Sequence, residues 1–166
     1  ASYIEYSEDS TQKQVDNINI VSLSKNEYER FLKKIGGNYE DAITNFTNAL
    51  NSDKVGKNLK KDILSYRAAA YLKTKAYEEA LADCQALAES YDMNADIYFL
   101  TGETALAMDS YEEAASNFEQ AYGEDATYDR AIQIYGAYLD KDMEADGTRY
   151  LEAALSGTAK NAQDHC

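Results

Sequence analysis

Apolar residues in this chain recur three and four positions apart in short runs, each closed by a polar or glycine-containing break. The stretch from Leu64 to Leu87, L-S-Y-R-A-A-A-Y-L-K-T-K-A-Y-E-E-A-L-A-D-C-Q-A-L, shows the pattern best and predicts two amphipathic helices joined by a turn. Ala68 and Ala80 fall where two helix backbones can approach closely, and Leu64, Tyr71, Tyr77, Leu81 and Leu87 fall where they can fill the space around that crossing. Upstream, the same spacing predicts a helix carrying Tyr28, Phe31, Leu32 and Ile35, capped by Ser22 or Ser24 and closed by Gly36-Gly37. A further helix opens at Asn38 with Ile43, Phe46, Ala49 and Leu50 on one face, and N-S-D-K-V-G-K-N at residues 51–58 reads as a polar loop. Residues 1–22 form a polar leader whose sole apolar signal is the alternation at Ile18, Ile20 and Leu23.

The breaks are spaced regularly. Tyr77-Glu78-Glu79-Ala80 returns as Tyr111-Glu112-Glu113-Ala114, thirty-four residues on. Around these units lie Leu64, Ala68, Tyr71, Cys84 and Leu87 in one copy, and Tyr98, Gly102, Ala105, Phe118 and Ala121 in the next. Gly37, Tyr39, Ala42, Phe46, Ala49 and Leu50 make the second half of an earlier copy. Ile132, Tyr135, Gly136 and Leu139 begin a later one, whose second helix is legible only at Tyr150-Leu151-Glu152-Ala153-Ala154-Leu155, with Gly147 in an alanine place and the register one residue out. In period and pattern residues 23–157 resemble the tetratricopeptide repeat family, helix–turn–helix units of about 34 residues that stack on their neighbours. The resemblance implies an all-α, right-handed α-α solenoid of about four repeats, at residues 23–52, 58–92, 93–126 and 127–157, with 158–166 a tail or the start of a further repeat. Tyr39 and Tyr77 stand thirty-eight apart, which places about four extra residues in the 51–58 linker.

Composition supports a helical chain: 166 residues hold no Pro and eight Gly, so helices meet few breakers. No run of eighteen apolar residues exists to span a membrane. The net charge of −14 is one-sided, because residues 1–61 balance at nine acidic and nine basic groups while 62–166 carry twenty-one acidic and seven basic. Between Lys75 and Arg130 there are fourteen acidic residues and no basic one. Such a field repels phosphate backbones and anionic lipid, so nucleic acid and membrane surfaces are poor partners, whereas an apolar to mildly basic protein or peptide suits it. The chain opens on Ala1, which reads as a processed or excised sequence. The leader fits a processed bacterial surface or periplasmic protein as well as a cytoplasmic adaptor.

Residues suited to catalysis are scarce. His165 is the single histidine, so no His-based triad or multi-His metal site can be assembled, and no Gly-rich phosphate loop or G-x-S-x-G elbow is present. Neither an enzyme nor a cofactor is expected. Cys84 and Cys166 lack metal or disulfide spacing, and Cys84 reads as a small core residue. Asp142, Glu144 and Asp146 before Gly147 look like the first half of a calcium loop, but the closing carboxylate would fall at Ala153, with Glu152 one place short. An acidic turn with Asp146 capping a helix is the favoured reading there.

The family resemblance further implies a working surface on the first helix of each repeat, where residues three and four apart share a face. That stripe holds Phe31, then Ser65, Ala69 and Leu72, then Phe99, Glu103 and Leu106, then Gln133 and Ala137, with Glu27, Lys34 and Asp140 at its margins. In chaperone co-factors of the family a Lys/Asn/Arg clamp grips a C-terminal carboxylate. Here the clamp places hold Glu27, Phe31, Tyr66, Asp96 and Leu100, so that use is excluded. The expected role is a non-enzymatic scaffold binding a peptide or helix of a protein partner. The alternative is a structural segment that self-associates or joins further repeats through its ends.

Overall fold

The computed structural model describes residues 38–157, and every regular element among them is an α-helix. The leader, the first helix with its caps, Phe31, Glu27 and Lys34, and the tail lie outside the described residues. The helices are α1 (Tyr39–Leu50), α2 (Lys57–Lys73), α3 (Tyr77–Ser90), α4 (Ala95–Ala107), α5 (Tyr111–Glu124), α6 (Tyr128–Asp140) and α7 (Glu144–Leu155). They fall into two compact units divided between Tyr91 and Asp92. No helix among the described residues is long and apolar enough to cross a membrane.

Two kinds of helix start occur along the chain, with α2, which begins after Gly56, lacking a side-chain cap. Helices α1, α4 and α6 follow polar caps: the side chains of Asn38, Asn94 and Thr127 accept hydrogen bonds from the backbone N–H groups of Asp41, Ile97 and Arg130 at 3.2, 2.9 and 3.2 Å. Helices α3, α5 and α7 have no such side-chain cap and emerge directly from a tight turn. In each turn one non-glycine residue takes a left-handed backbone, Lys75 at φ 64°, Asp109 at 62° and Asp142 at 62°. The next residue's N–H then bonds five residues back: Ala76 to Tyr71, Ser110 to Ala105 and Met143 to Tyr138, each at 2.8 Å. This bond satisfies a terminal carbonyl of the incoming helix and turns the chain at once into the outgoing one. Carboxylates then occupy the first turns, Glu78 and Glu79, Glu112 and Glu113, Glu144 and Asp146, where the helix dipole favours negative charge.

Two expectations are corrected here, and the origin of a third feature is located. The four extra residues between Tyr39 and Tyr77 do not all lie in the linker, because α2 has 17 residues where α4 and α6 have 13. Residues 57 and 58 are its first turn, and the shortened loop is pinned by buried Val55, an apolar anchor inside a polar stretch. The one-residue register shift of the last pair arises in the connection before it: three residues join α5 to α6, whereas four join α3 to α4. Finally, residues 144–147 are helical, so the calcium-loop reading is overturned: Glu144 and Asp146, two apart on a helix, cannot converge as alternating ligands of a loop do. Asp146 lies in the first turn of α7, and the cap position is Met143.

Each unit has its own core. In the first, Ala42, Phe46, Ala49, Val55 and Ile63 cluster with Leu50, Leu59 and Tyr66 against them. Ala68, Ala80, Cys84 and Leu87 are buried as their spacing anticipates. A partly buried ion pair crosses this unit. Arg67 on α2 donates from Nε and Nη2 to both oxygens of Asp83 on α3, at 2.9 and 2.6 Å, and from Nη1 to the Thr47 hydroxyl on α1 at 3.0 Å. Hydrogen bonding to Asp83 holds the Arg67 pKa above its ordinary value against the opposing effect of burial. One guanidinium therefore ties three helices together, and its forked geometry suits the task better than an ammonium would.

In the second unit a chain of rings runs through the core. Phe99 lies 5.7 Å from Phe118, Phe118 meets Tyr138 edge-on at 5.2 Å, Tyr138 stacks on Tyr150 at 6.5 Å, and Tyr150 meets Tyr122 edge-on at 5.8 Å. Small residues let the helices close on these rings. A Cβ at Gly102 would stand 2.6 Å from Phe118 Cε1, and one at Gly147 would stand 3.0 Å from Tyr138 Cβ. The glycine in an alanine place thus marks a tighter crossing of α6 and α7.

Candidate functional site

The residues nominated for the working face divide between the two units. On α2, Ser65, Ala69 and Leu72 are each half-buried, and the Ser65 hydroxyl is turned back to donate to the Lys61 carbonyl at 3.1 Å. On α4 and α6 the second unit brings a larger set together. Glu103, Leu106 and Ala107 of α4 face Ala137 and Asp140 of α6 and the following Lys141 across an open depression of about 170 Å³. Glu103, Leu106, Ala137 and Asp140 are all on the stripe read from the sequence. Ala107 and Lys141 are not, and the helix spacing gives no signal for Lys141, which lies beyond the end of α6.

The depression has a particular chemistry. Leu106, only 4% exposed, belongs to the core and offers an edge as floor, with Ala107 and Ala137 beside it. Glu103 and Asp140 add two acidic residues to its lining. Lys141 is held by Asp109, 2.8 Å away in the turn after α4, and the Tyr111 hydroxyl donates to the same carboxylate at 3.1 Å. Hydrogen bonds from Lys141 and Tyr111 hold the Asp109 carboxyl below its usual range. The turn of one repeat is thereby tied to the turn of the next.

Phe99 and Gln133 are placed differently. The Phe99 ring packs against the core, and the Arg130 guanidinium sits over it at 5.3 Å. Arg130 is itself buried, 6% exposed, and donates to Asp125 at 3.2 Å, to Gln133 Oε1 at 3.1 Å and to Asp96. Phe99 and Leu106 are thus partly structural, and the apolar centre read from the stripe is the edge of a packed core. The sequence reading also missed Arg130, although a lone cation closing fourteen carboxylates was its signal. Gln133 is exposed. Among the described residues no three His, Cys, Asp or Glu side chains gather as metal ligands would.

No family model matches this chain. The crystal structure of MamA is similar, aligning over 96% of this chain and 99% of that one, with 19% identical residues and a TM-score of 0.51. MamA is a tetratricopeptide-like helical repeat protein. The fold is a helical-repeat solenoid. At this identity the likeness concerns fold and leaves the working surface to be argued from this chain's own residues.

Proposed function

We propose that this protein is a non-enzymatic protein-interaction scaffold that takes a peptide or helix of a partner along the first helices of its repeats. The supporting observation is the depression between α4 and α6, where four residues of the expected stripe, two apolar and two acidic, line one opening. A concave apolar surface with a few placed polar groups is the usual form of a recognition site, and the helical-repeat fold suits that use. The test is fluorescence anisotropy with a peptide library, comparing the wild type with Ala137→Phe, which fills the depression without changing charge. Peptides bound by the wild type and released by the variant, at equal helicity, support the reading. Equal binding by both places recognition elsewhere. Truncating Phe99 and Leu106 would be a poorer test, because opening a cavity beneath the site costs about 2–5 kcal/mol.

A second reading has its own observation. Leu155, in the last turn of α7, is 63% exposed, so a structural role in which the array joins further repeats or another copy through this end is the alternative. Leu155→Lys then abolishes assembly measured by light scattering and leaves peptide binding intact.

A further inference from the structure

We infer that copies of this chain associate head to tail, the lysine face at the start of α2 meeting the acidic α6–α7 turn of the next copy. The contact is separate from peptide binding and uses neither the α4–α6 depression nor Leu155. Residues 54–61 hold Lys54, Lys57, Lys60 and Lys61 and no acidic residue. Lys54 and Lys57 are exposed, and Lys60 and Lys61 are half-buried. Among the described residues Arg67, Arg130, Lys141 and Arg149 meet carboxylates, whereas none of these four lysines makes an ion pair. Lys57 Nζ instead lies over the Tyr91 ring at 5.6 Å. Lys57 stands three and four residues before Lys60 and Lys61 on one helix, a spacing at which like charges repel. An acidic surface brought against them relieves that repulsion.

The chain carries the complement itself. Asp142 in the turn after α6, and Glu144 and Asp146 in the first turn of α7, are all exposed. Among the described residues none of the three makes an ion pair, and Glu144 accepts a hydrogen bond from the Tyr135 hydroxyl at 3.2 Å. The acidic motif that is no calcium loop thus has a use as the counterpart of the lysine face. Nucleic acid and anionic lipid would meet the repulsion of the chain's net charge of −14, so a second copy is the occupant the charges favour. The contact joins two different surfaces, so each added copy presents a further lysine face or acidic turn and assembly grows with concentration. Its salt response has a definite sign. Salt screens attraction between lysines and carboxylates, whereas it helps association through an apolar end by screening repulsion between copies.

Sedimentation velocity of the full chain over a concentration series, in about 20 mM and about 300 mM NaCl, reads the assembly. The wild type should form concentration-dependent oligomers in the dilute salt and dissociate in the other. Lys57→Glu/Lys60→Glu and Asp142→Lys/Asp146→Lys should each weaken association about tenfold, and an equimolar mixture of the two variants should regain it. Recovery in the mixture excludes misfolding as the cause of either loss. Position 142 accepts lysine, because Lys75 at φ 64° holds in its own turn the backbone that Asp142 holds at 62°. Lys73→Glu/Lys75→Glu, the same charge change at the far end of α2, should leave association within about twofold. A wild type monomeric in both salts, association strengthened by salt, equal losses in all three variants, or a mixture that stays monomeric would overturn head-to-tail pairing. The peptide-groove reading would stand in each of those cases.

Discussion

Replacing Gly102 with alanine tests the account of the second unit's core directly. In a helix interior this change ordinarily stabilises by about 1 kcal/mol, because glycine loses more backbone entropy on folding. Here the added methyl would lie 2.6, 2.7 and 3.2 Å from Cε1, Cδ1 and Cγ of Phe118. That ring has no room to retreat: it is fully buried between Phe99 at 5.7 Å and Tyr138 at 5.2 Å. Overpacking of this kind costs about 1–3 kcal/mol, more than the propensity gain at most of that range, so Gly102→Ala should destabilise by about 1 kcal/mol. Gly136→Ala supplies the contrast, since nothing lies within 4 Å of its added methyl on α6, and it should stabilise by about 0.5–1 kcal/mol. Urea unfolding followed by helical circular dichroism reads both as midpoint shifts of opposite sign. Phe118→Leu, costly alone, should cost less in the Gly102→Ala background, a coupling of about 1 kcal/mol. If Gly102→Ala is as stable as the wild type, or the coupling is absent, the close crossing of α4 and α5 on the Phe118 ring is refuted.

Three other perturbations have definite signs. Asp83→Ala strands the Arg67 guanidinium among three helices and should destabilise the first unit by about 3 kcal/mol, whereas Thr47→Val, which removes one of the three bonds, should cost about 1; urea midpoints distinguish them. Lys75→Gly should stabilise by about 0.5–1 kcal/mol by relieving the left-handed backbone of a β-carbon, read as a rise in Tm. Burial, against the opposing charge of Arg149, pushes the Tyr150 phenol up to about 12 from its usual 10. The folded state thus holds that proton more tightly, so stability is complete below about pH 10 and falls as pH rises through about 12, a loss that Tyr150→Phe should reduce in alkaline unfolding curves.

The parts of this fold legible in the sequence are those set by side-chain period and size. Ala68, Ala80 and Cys84 are buried where helix spacing placed them, and Asn38 caps α1 as its position before an amphipathic run suggests. What the sequence concealed lies where backbone geometry replaces side-chain pattern. Three turns carry Lys75, Asp109 and Asp142 in a conformation usually marked by glycine, so the turns were found through the repeat and not through turn chemistry. The alternation of Asp142, Glu144 and Asp146 looked like a ligand loop because the same acidic residues also suit the first turn of a helix. The linker misreading had a similar cause: K-K-D and K-N are polar whether they lie in a loop or on the exposed start of a helix one turn longer than its neighbours.

For the candidate site the same physics yields a sharper conclusion. A period of three and four places Glu103, Leu106, Ala137 and Asp140 on facing stripes, and the structure gathers them around one depression. Period alone cannot say how deep each residue sits, and here depth decides the chemistry. Leu106 is sunk to 4% exposure and Phe99 lies beneath Arg130, so the large apolar groups stabilise the unit, and acidic Glu103 and Asp140 share the lining of the opening with Leu106, Ala107 and Ala137. A deep apolar pocket would select a partner's leucine or phenylalanine by burial. Under the proposed scaffold role, a shallow depression lined by Glu103 and Asp140 as well as hydrocarbon would add charge to apolar contact in choosing a partner. Recognition by such a surface gains strength from repetition along a partner segment, which is the geometry a stack of similar helix pairs supplies.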